Sequence, residues 1–414
     1  MLLLKKNKAL GIFLLLGLIP YSVQAKVTTA AEAAAYAEQN WGLNGGEASS
    51  HIHAREAWKN SKGKKDIIVA VIDTGLDTNH PLIKDHLWKN KGSDEYGFDF
   101  VSKQKNPKDV HGHGTHVAGI ILATSGVPAG KSRVKIMPLR YYADNIPDAD
   151  QLEFTVKAID YAVAHGASVI NYSAEGVGFS RAEYQAISRA KAKGVIFVTA
   201  AGNRGRDNDT ASSPSYPASY DLSNIITVAA TNQRNELIPS SNWGAGRVHV
   251  AAPGENIFSS LPGSKWGYLT GTSQATAFVT GLAAMVLCEN PDLKPEEVRA
   301  ILEKSSDPES GLKSKVAAAG RVNAMAALEL ARSSSNRALS SKAGLTVTSL
   351  EAGSVFQKLG LKLGDVLLAA DGRPLSSAQD LEVWSKLSLG KNPVAKLQLE
   401  RDGKLQELTF QLAK

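Results

Sequence analysis

Cysteine is nearly absent from this chain: Cys288 is the one cysteine in 414 residues. A single cysteine cannot form a disulfide within the chain, so a fold stabilised by internal disulfides is excluded. The stability of the fold must therefore come from the core or from bound ions. Cys288 ends the apolar run 283–287. This position predicts a small buried side chain, and a reactive thiol is the less favoured alternative.

A strong charge of one sign is also lacking. The formal net charge is +7, of which three charges belong to lysines in residues 1–25, leaving +4 for the rest (7 − 3). We find no basic stripe with interleaved aromatic residues, so the sequence does not favour a nucleic-acid partner. Because 43% of the residues are hydrophobic, the chain has enough apolar side chains for a large core in two or three domains.

Beyond the N-terminus the sequence has no apolar run long enough to cross a bilayer. At the N-terminus, three lysines precede the run Ala9 to Leu18, and Val23-Gln24-Ala25 fits a cleavage site with small residues. We therefore predict a signal peptide over residues 1–25 and an exported protein with no stable membrane span after cleavage. An uncleaved anchor is the alternative.

Strand-like and helix-like segments alternate between residues 67 and 250. The helical segment near residue 155 has one apolar face formed by Leu152, Val156, Ile159 and Val163. This alternation predicts an α/β domain with a mainly parallel sheet flanked by helices. Five short runs rich in Val and Ile are the predicted buried strands: Ile67 to Ile72, Val134 to Leu139, Ser168 to Tyr172, Val195 to Thr199, and Ile225 to Ala229.

The last seventy or so residues differ in character. They contain short strand-like runs, Gly-Asp and Asp-Gly turns, and one helical pattern from Ala378 to Leu387. Asp402-Gly403 between two such runs predicts a β-hairpin. We expect a small β-rich domain over residues 343–414, joined to the first domain by a polar linker over residues 333–342.

Three glycine-bearing motifs follow one another along the chain. They are Val71-Ile72-Asp73-Thr74-Gly75, then residues 113–119 (His-Gly-Thr-His-Val-Ala-Gly), then residues 271–276 (Gly-Thr-Ser-Gln-Ala-Thr). Together they supply Asp73, His113 and Ser273, the side chains needed for nucleophilic acyl transfer. The order Asp, His, Ser is one of the known arrangements of this triad.

Each of these residues has a chemical role in that reaction. The hydroxyl of Ser273 needs a base, His113, whose tautomer Asp73 would fix. The helix-like run after Ser273 predicts a helix N-terminus beside the reacting oxygen. Asn203 follows a predicted strand in the segment 198–205, and we predict that its amide donates to the tetrahedral oxyanion.

These motifs resemble those of subtilisin-like serine proteases, and the resemblance extends over residues 40–332. It implies Asp73, His113 and Ser273 as the triad and Asn203 as the oxyanion donor, in agreement with the interpretation from the residues themselves. Members of that family usually carry a folded propeptide. The segment 26–39, which includes an alanine-rich helix-forming run, is too short for one.

The resemblance also implies how a substrate would bind. An extended peptide would add as a strand between one wall formed by Ser173, Ala174, Glu175 and Gly176 and an opposite wall formed by Ala201 and Gly202. Glu175 stands where the family usually has glycine. Either it favours a basic side chain before the cut, or, as we judge better supported, it points to solvent or pairs with a nearby arginine.

Two further departures concern the helix and metal binding. Ala277 occupies the place of the family's usual proline, which predicts a straighter helix after Ser273. Leu82 stands where an aspartate of the family's tight calcium site would be, so we predict no metal and no cofactor. Asp207-Asn208-Asp209 is either a weak calcium loop or, as favoured, a solvated turn. We assign His116 a structural role.

The C-terminal domain resembles a PDZ domain of the bacterial envelope type, through Gly360-Leu361, Gly364-Asp365 and Asp371-Gly372. Such domains bind a C-terminal peptide as an added strand. The peptide-binding residues would be Gly344, Leu345, Thr346 and Val347. By analogy, a protease with this domain would work in the periplasm or cell envelope rather than in the medium.

Three functions are compatible with the sequence. The favoured one is an exported serine endopeptidase acting on proteins or peptides, with a PDZ module for targeting or regulation. A catalytically weak peptide-binding scaffold is the second. An acyl transferase that passes the acyl group to an amine is the third.

Overall fold

The computed structural model describes residues 30–44, 50–63, 65–210, 212, 214–340, 345–350, 355–358, 360–370, 373–375, 394–401 and 404–411. The chain divides into two compact units, residues 1–331 and 332–414. The predicted signal peptide (1–25), the predicted helix 378–387 and Gly344 lie outside the described residues. None of the helices in the described ranges has the length and apolarity needed to cross a membrane.

The helices of the structure are α1 (Ala30–Gln39), α2 (Trp41–Asn44), α3 (Ala54–Asn60), α4 (His113–Thr124), α5 (Asp148–Ala164), α6 (Arg181–Ala192), α7 (Thr272–Glu289), α8 (Pro295–Ser305), α9 (Ala324–Ser340) and α10 (Val355–Lys358). In the described part of the chain, short 3-10 helices cover Lys84–His86, Val127–Ala129 and Ser310–Leu312.

A ten-stranded sheet forms the centre of the first unit, in the order β11-β12-β8-β7-β6-β5-β1-β4-β2-β3. All neighbours are parallel except the outermost pair at each edge. The strands are β1 (Ile67–Asp73), β2 (Phe98–Asp99), β3 (Gln104–Lys105), β4 (Val134–Arg140), β5 (Val169–Tyr172), β6 (Ile196–Ala200), β7 (Ile225–Thr231), β8 (Val250–Pro253), β11 (Asp307–Pro308) and β12 (Gly320–Arg321). The predicted α/β fold and its five parallel strands are confirmed.

Alternate residues of each strand face two separate cores. Val69 and Val71 of β1 pack in the core that contains α4 and α7, whereas Ala70 and Ile72 pack in the core that contains α5 and α6. Strands buried on both faces require the continuous Val- and Ile-rich runs found in the sequence. A separate hairpin, β9 (Ile257–Leu261) and β10 (Lys265–Leu269), lies beside α4.

The face that α5 buries is rotated by about one position from the predicted apolar face, and the two faces share Ile159. The residues that α5 buries completely are Gln151, Thr155, Ala158, Ile159 and Ala162, whereas Leu152, Val156 and Val163 are half-buried at its margins. Ile159 lies within the buried face, and Val156 and Val163 pack against the same core as partly buried side chains.

Helix α7 is the central helix of the first unit, since each of its eighteen residues is buried. Ala277 lies within it and the helix runs uninterrupted to Glu289. Cys288 is buried near its end, as predicted, and burial raises the pKa of its thiol to about 12. A thiol with that pKa is protonated at neutral pH and therefore a poor nucleophile.

The second unit contains an antiparallel sheet ordered β13-β14-β16-β17, with β15 paired to β14. Its strands are β13 (Leu345–Thr346), β14 (Val366–Ala370), β15 (Arg373–Pro374), β16 (Val394–Arg401) and β17 (Lys404–Gln411). Arg401 pairs with Lys404 across β16 and β17, which confirms the predicted hairpin. Its core includes Leu361, Leu367, Leu397 and Leu399.

The segment predicted as a linker, residues 333–342, is mostly helical. Helix α9 extends through it to Ser340. The prediction rested on small polar residues, but serine costs only about half a kcal/mol relative to alanine within a helix. A helix that begins on a buried face can therefore continue into polar sequence.

Candidate active site

Three neighbouring strands end at one edge of the central sheet and carry candidate residues there. Asp73 is the last residue of β1, Ser173 directly follows β5, and Asn203 lies three residues beyond β6. The strands are adjacent in the order β6-β5-β1. Ligand sites in open α/β sheets lie beyond this carboxyl edge, so the topology alone brings the three segments together.

Asp73 and His113 form a buried hydrogen-bonded pair. His113 is the first residue of α4, and its Nδ1 lies 2.8 Å from Oδ1 of Asp73. Burial alone would lower the pKa of His113, but the charge of Asp73 and its hydrogen bond outweigh burial and raise that pKa above 6.5. Nδ1 is thus the protonated nitrogen of the neutral ring, which leaves Nε2 as a base.

A second aspartate, which the sequence analysis did not identify, holds the turn before His113. Asp109 is buried and accepts from the backbone N–H of Gly112 at 2.8 Å and from that of Thr115 at 2.9 Å. It also accepts from the hydroxyls of Thr74 at 3.0 Å and Thr115 at 2.6 Å. The carboxylate therefore ties the end of β1 to the start of α4.

Gly114 has to be glycine because the end of β1 lies directly against it. A Cβ at this position would lie 2.2 Å from the carbonyl oxygen of Gly75, a backbone atom that cannot move aside alone. Without a side chain, its backbone N–H donates to the Thr74 hydroxyl at 2.9 Å. The two glycine-bearing motifs thus pack directly against each other.

Ser273 lies in the first turn of α7, buried against the segment after β5. Its hydroxyl donates to the carbonyl oxygen of Ser173 at 3.1 Å, and the Ser173 hydroxyl donates to the carbonyl oxygen of Ser273 at 3.2 Å. Nε2 of His113 is buried and has no hydrogen-bond partner among the described residues. In this state the hydroxyl is therefore not bonded to the base.

The orientation of the Asn203 amide follows from its partners. Its Oδ1 accepts from the backbone N–H of Thr272 at 2.9 Å and from the Thr272 hydroxyl at 3.0 Å. A backbone N–H only donates, so this atom must be the oxygen. The Nδ2 group is left as a donor beside the residue that precedes Ser273.

The two predicted substrate walls follow the neighbouring strands β5 and β6. Gly176 pairs with Tyr216 through two backbone hydrogen bonds of 2.7 and 2.8 Å. Ser173, Ala174 and Ala201 are buried beside them. These residues occupy the expected segments at the carboxyl edge of the sheet.

Glu175 is buried, so the expectation that it points to solvent is wrong. Its Oε1 lies 3.6 Å from Nε of Arg204, which agrees with the predicted pairing to an arginine. The same oxygen accepts from the backbone N–H of Asn203 at 3.0 Å, and Oε2 accepts from the Ser215 hydroxyl at 3.2 Å. The carboxylate thus crosses from one wall to the other.

Asn242 holds the loop after β6 from the opposite side, and sequence reasoning missed it. Its Oδ1 accepts from the backbone N–H groups of Arg204 and Arg206, both at 3.0 Å. Its Nδ2 donates to the carbonyl oxygen of Ala201, also at 3.0 Å. Asn242 lies far along the chain in a loop without a motif, so no sequence signal identified it.

Comparison with known families bears directly on this geometry. A family model described as "Subtilase family" matches residues 64–341. The chain belongs to the subtilase family. The match includes Asp73, His113, Asn203 and Ser273. A second model, described as "PDZ domain", matches residues 326–412. The chain is therefore a subtilase that carries a PDZ domain.

Several named proteases are similar to this subtilase. Thermitase of Thermoactinomyces vulgaris is 35% identical over 67% of this chain and 94% of its own length. The Thermophilic serine proteinase of Bacillus sp. (strain AK1) is 36% identical over 62% of the chain, and Subtilisin-like protease 2 of Plasmodium falciparum (isolate 3D7) is 34% identical over 59%. The chain spans 60% and 19% of these last two proteins.

A solved structure shows the same fold. It is a structure of proteases from the bacterium Pseudoalteromonas arctica, and it superposes on this chain with a TM-score of 0.59 at 23% identity. The superposition covers 71% of this chain and 97% of the solved one. At this identity the likeness concerns the fold alone.

The residues considered for metal binding have other partners. His116 is buried, its Nε2 donates to the carbonyl oxygen of Ile257 at 3.1 Å, and burial lowers its pKa to about 3. Asp207 accepts from the backbone N–H of Asp209 at 2.9 Å, an Asx turn, which supports the turn interpretation of that loop.

One group of metal-ligating side chains was not predicted. Ligand atoms of His51, His53 and Glu56 lie within 4.8 Å of one another. However, Nδ1 of His51 accepts from the backbone N–H of His53 at 3.1 Å, so the proton of the neutral ring is on Nε2. Neither ring nitrogen of His51 then offers a lone pair to an ion, and we assign no metal to this group.

Proposed function

We propose that this subtilase is an exported serine endopeptidase that hydrolyses peptide bonds through an acyl-enzyme. The observation that carries the proposal is the arrangement at the sheet edge. The Asp73–His113 pair has a free basic nitrogen, Ser273 is the second residue of a buried helix, and the Asn203 amide is bonded to Thr272 beside it. The names of similar proteins, several of them serine proteases, agree with this activity.

Acylation would begin with rotation of the Ser273 hydroxyl from the Ser173 carbonyl oxygen to Nε2 of His113. This nitrogen takes the hydroxyl proton while Oγ forms a bond to the carbonyl carbon of the peptide. Asp73 stabilises the imidazolium that results. Catalytic hydrogen bonds are often long or absent before substrate binds, so the observed rotamer is compatible with this step.

Breakdown of the tetrahedral intermediate uses the opposite side of the site. The Nδ2 group of Asn203 and the N-terminus of α7 donate to the oxyanion, where charge is greatest. His113 then gives its proton to the leaving amine as the C–N bond breaks. Water, deprotonated by His113, releases the acyl group and restores Ser273.

Protein and peptide substrates would bind as an extended strand between the two walls, 173–176 and 201–202. Pairing through the main chain gives affinity with little sequence choice. The basic preference that Glu175 would confer stays a prediction, and its carboxylate already accepts two hydrogen bonds inside the wall.

Export and the role of the PDZ domain are further parts of the proposal. Residues 1–25 have the pattern of a signal peptide, which would direct the enzyme to the periplasm or cell envelope.

In the PDZ domain, the residues that would bind a C-terminal peptide, beside β13, are Leu345, Thr346 and Val347. A variant ending at residue 342 tests the role of the domain. If this variant cleaves casein more slowly but small peptides at the same rate, the domain targets protein substrates. If it cleaves both casein and small peptides faster, the domain restrains the enzyme.

The activity is tested with the purified protein and its Ser273→Ala variant. Both are incubated with casein and with a fluorophosphonate probe, and products are followed by intact mass. The proposal predicts labelling and cleavage by the wild type alone. Absence of both, with the protein shown to be folded, would contradict it.

One observation favours the scaffold alternative: the Ser273 hydroxyl is bonded to the Ser173 carbonyl oxygen and not to the base. A scaffold would bind peptides without labelling or cleavage. An acyl transferase would be labelled, and the mass of its product would show an amine in place of water.

A further inference from the structure

Glu175 is a buried carboxylate placed where it contacts the loop that carries Asn203. It follows β5 on one wall of the site, and its side chain is 6% exposed. Its Oε1 accepts from the backbone N–H of Asn203 at 3.0 Å, across 28 positions of sequence. A hydrogen bond to a carboxylate is about twice as strong as one between neutral groups.

The backbone opposite Glu175 has a glycine, Gly202, at the point where the carboxylate lies. A Cβ on Gly202 would lie 2.3 Å from Oε2 of Glu175. Gly202 also has a backbone φ of +112°, a value that residues with a side chain rarely adopt. The carboxylate therefore lies directly against the peptide between Gly202 and Asn203. The two walls are joined at this point by a charge-assisted bond.

The other partners of the carboxylate also belong to the protein. Arg204 lies 3.6 Å away and is itself largely buried, with 18% of its side chain exposed. Ser215 donates to the second oxygen at 3.2 Å. Because each oxygen has a donor within the protein, the group has a structural use in the absence of any substrate.

Asn203 is thereby held at two points. Glu175 fixes its backbone, and Thr272, which precedes the nucleophile, fixes its amide oxygen. The direction of Nδ2 depends on both contacts. Displacement of a catalytic group by about 1 Å can cost on the order of a hundredfold in rate.

We propose that Glu175 is a positioning residue, which holds the backbone of Asn203 so that its amide is aimed at the oxyanion. This rests on the proposed peptidase function. This role predicts that a substitution of Glu175 lowers turnover through Asn203. It also predicts no change in the preference for the substrate residue before the cleaved bond.

The test is a double-mutant cycle on the full chain, with steady-state kinetics on two peptide substrates that carry Lys or Ala before the cut. Glu175→Ala should lower kcat about 10- to 100-fold on both peptides, with KM changed less than about threefold. In an Asn203→Ala background the same change should cost less than about threefold, because the group it positions is gone.

Two variants serve as rescue and control. Glu175→Gln keeps an oxygen that accepts from Asn203 and a nitrogen that can donate to Ser215, so it should recover most of kcat; it also serves as the test variant if Glu175→Ala does not fold. Glu289 is another buried carboxylate that accepts a backbone N–H, from Lys62, but far from the site. Glu289→Ala should lower the melting temperature and leave kcat unchanged.

Equal losses in both backgrounds would overturn the proposal, as would an unchanged kcat for Glu175→Ala. A loss confined to the peptide with Lys would also overturn it and assign Glu175 to substrate recognition instead. If the wild type neither cleaves nor takes up the fluorophosphonate probe, the proposed function fails and this inference fails with it. If the wild type does both, a negative cycle contradicts the inference alone.

Discussion

His113 and Asn203 have different roles in the proposed reaction, one as the base and one as the oxyanion donor, and the chain holds them by different means. The backbone turn before His113 is closed by a neighbour in sequence: Asp109 lies four residues before His113 and binds the turn that leads into α4. Asn203 is supported by distant side chains, Glu175 and Asn242, that reach its loop from two directions. The turn before the base is thus closed by a local carboxylate, which also binds Thr74 at the end of β1, whereas the loop of the oxyanion donor is held by distant side chains.

This difference has a consequence for where substitutions act. A local turn closed by a buried carboxylate forms as one unit with the start of its helix. A loop clamped between distant groups depends on the whole sheet edge being assembled. We therefore expect substitutions on the base side to lower stability together with activity, and substitutions on the oxyanion side to lower activity with a smaller loss of stability.

The largest effect should come from Asp73→Asn on the base side. The amide would favour the wrong tautomer of His113, and kcat should fall on the order of 10⁴-fold. The measurement is kcat on a chromogenic peptide, with the melting temperature as a check that the variant is folded. A fall of less than about tenfold would remove Asp73 from the mechanism.

Asn203→Ala tests the oxyanion side and should cost about 10²- to 10³-fold in kcat, with KM nearly unchanged. That range is the one established for the oxyanion asparagine of subtilisin. The free energy of unfolding should change little, because the Asn203 side chain is only half-buried and water can replace part of its contacts. Loss of stability comparable to that of an Asp109 variant would contradict the comparison.

The supports themselves can be compared through Asp109→Ala and Asn242→Ala. Asp109→Ala should cost about 3 kcal/mol or more of unfolding free energy, since it leaves buried donors unpaired, whereas Asn242→Ala should cost about 1–3 kcal/mol. Chemical denaturation measures both. Equal costs would mean that the two sides are held alike.

The pH dependence of kcat/KM separates the base from the oxyanion donor. Because the pKa of His113 is raised above 6.5, activity should rise with pH through a midpoint above that value. In Asp73→Asn the midpoint should fall, since the carboxylate that raises the pKa of His113 is then gone and burial lowers it. Asn203→Ala should leave the midpoint where it is, and a shift in that variant would contradict the separation.

Glu183 provides a buried carboxylate on α6 that touches neither side of the site. Burial raises its pKa to about 7, although a hydrogen bond from Tyr220 opposes the shift. The folded state then holds a proton that the unfolded state releases above pH 4.5. Stability should therefore fall by about 3 kcal/mol as the pH rises from the unfolded pKa through the folded one.

In Glu183→Gln this loss should disappear, because the amide does not titrate and still accepts from Tyr220. Denaturation at about pH 5 and pH 8, on either side of the folded pKa, measures the difference. The kcat of the variant should stay close to that of the wild type. A pH-dependent stability that persists in Glu183→Gln would assign the effect to another group.

Much of the molecule could be predicted from sequence, and the exceptions have physical reasons. The strands β1, β4, β5, β6 and β7 were predictable because burial on both faces demands continuous apolar runs. The three motifs identified Asp73, His113 and Ser273 because tight turns and close backbone approach require their glycines. Long-range contacts leave no such local pattern, so Asn242 was missed and Glu175 was placed in the right segment without its bond to Asn203.

The most direct test of the account is to map the fluorophosphonate adduct on the wild type, His113→Ala and Asn203→Ala. The account predicts one adduct, on Ser273, formed about a hundredfold or more slowly when His113 is replaced, because the nucleophile then has no base. It predicts the same adduct in Asn203→Ala at a reduced rate. An adduct at another residue, or none in folded protein that still cleaves casein, would contradict it.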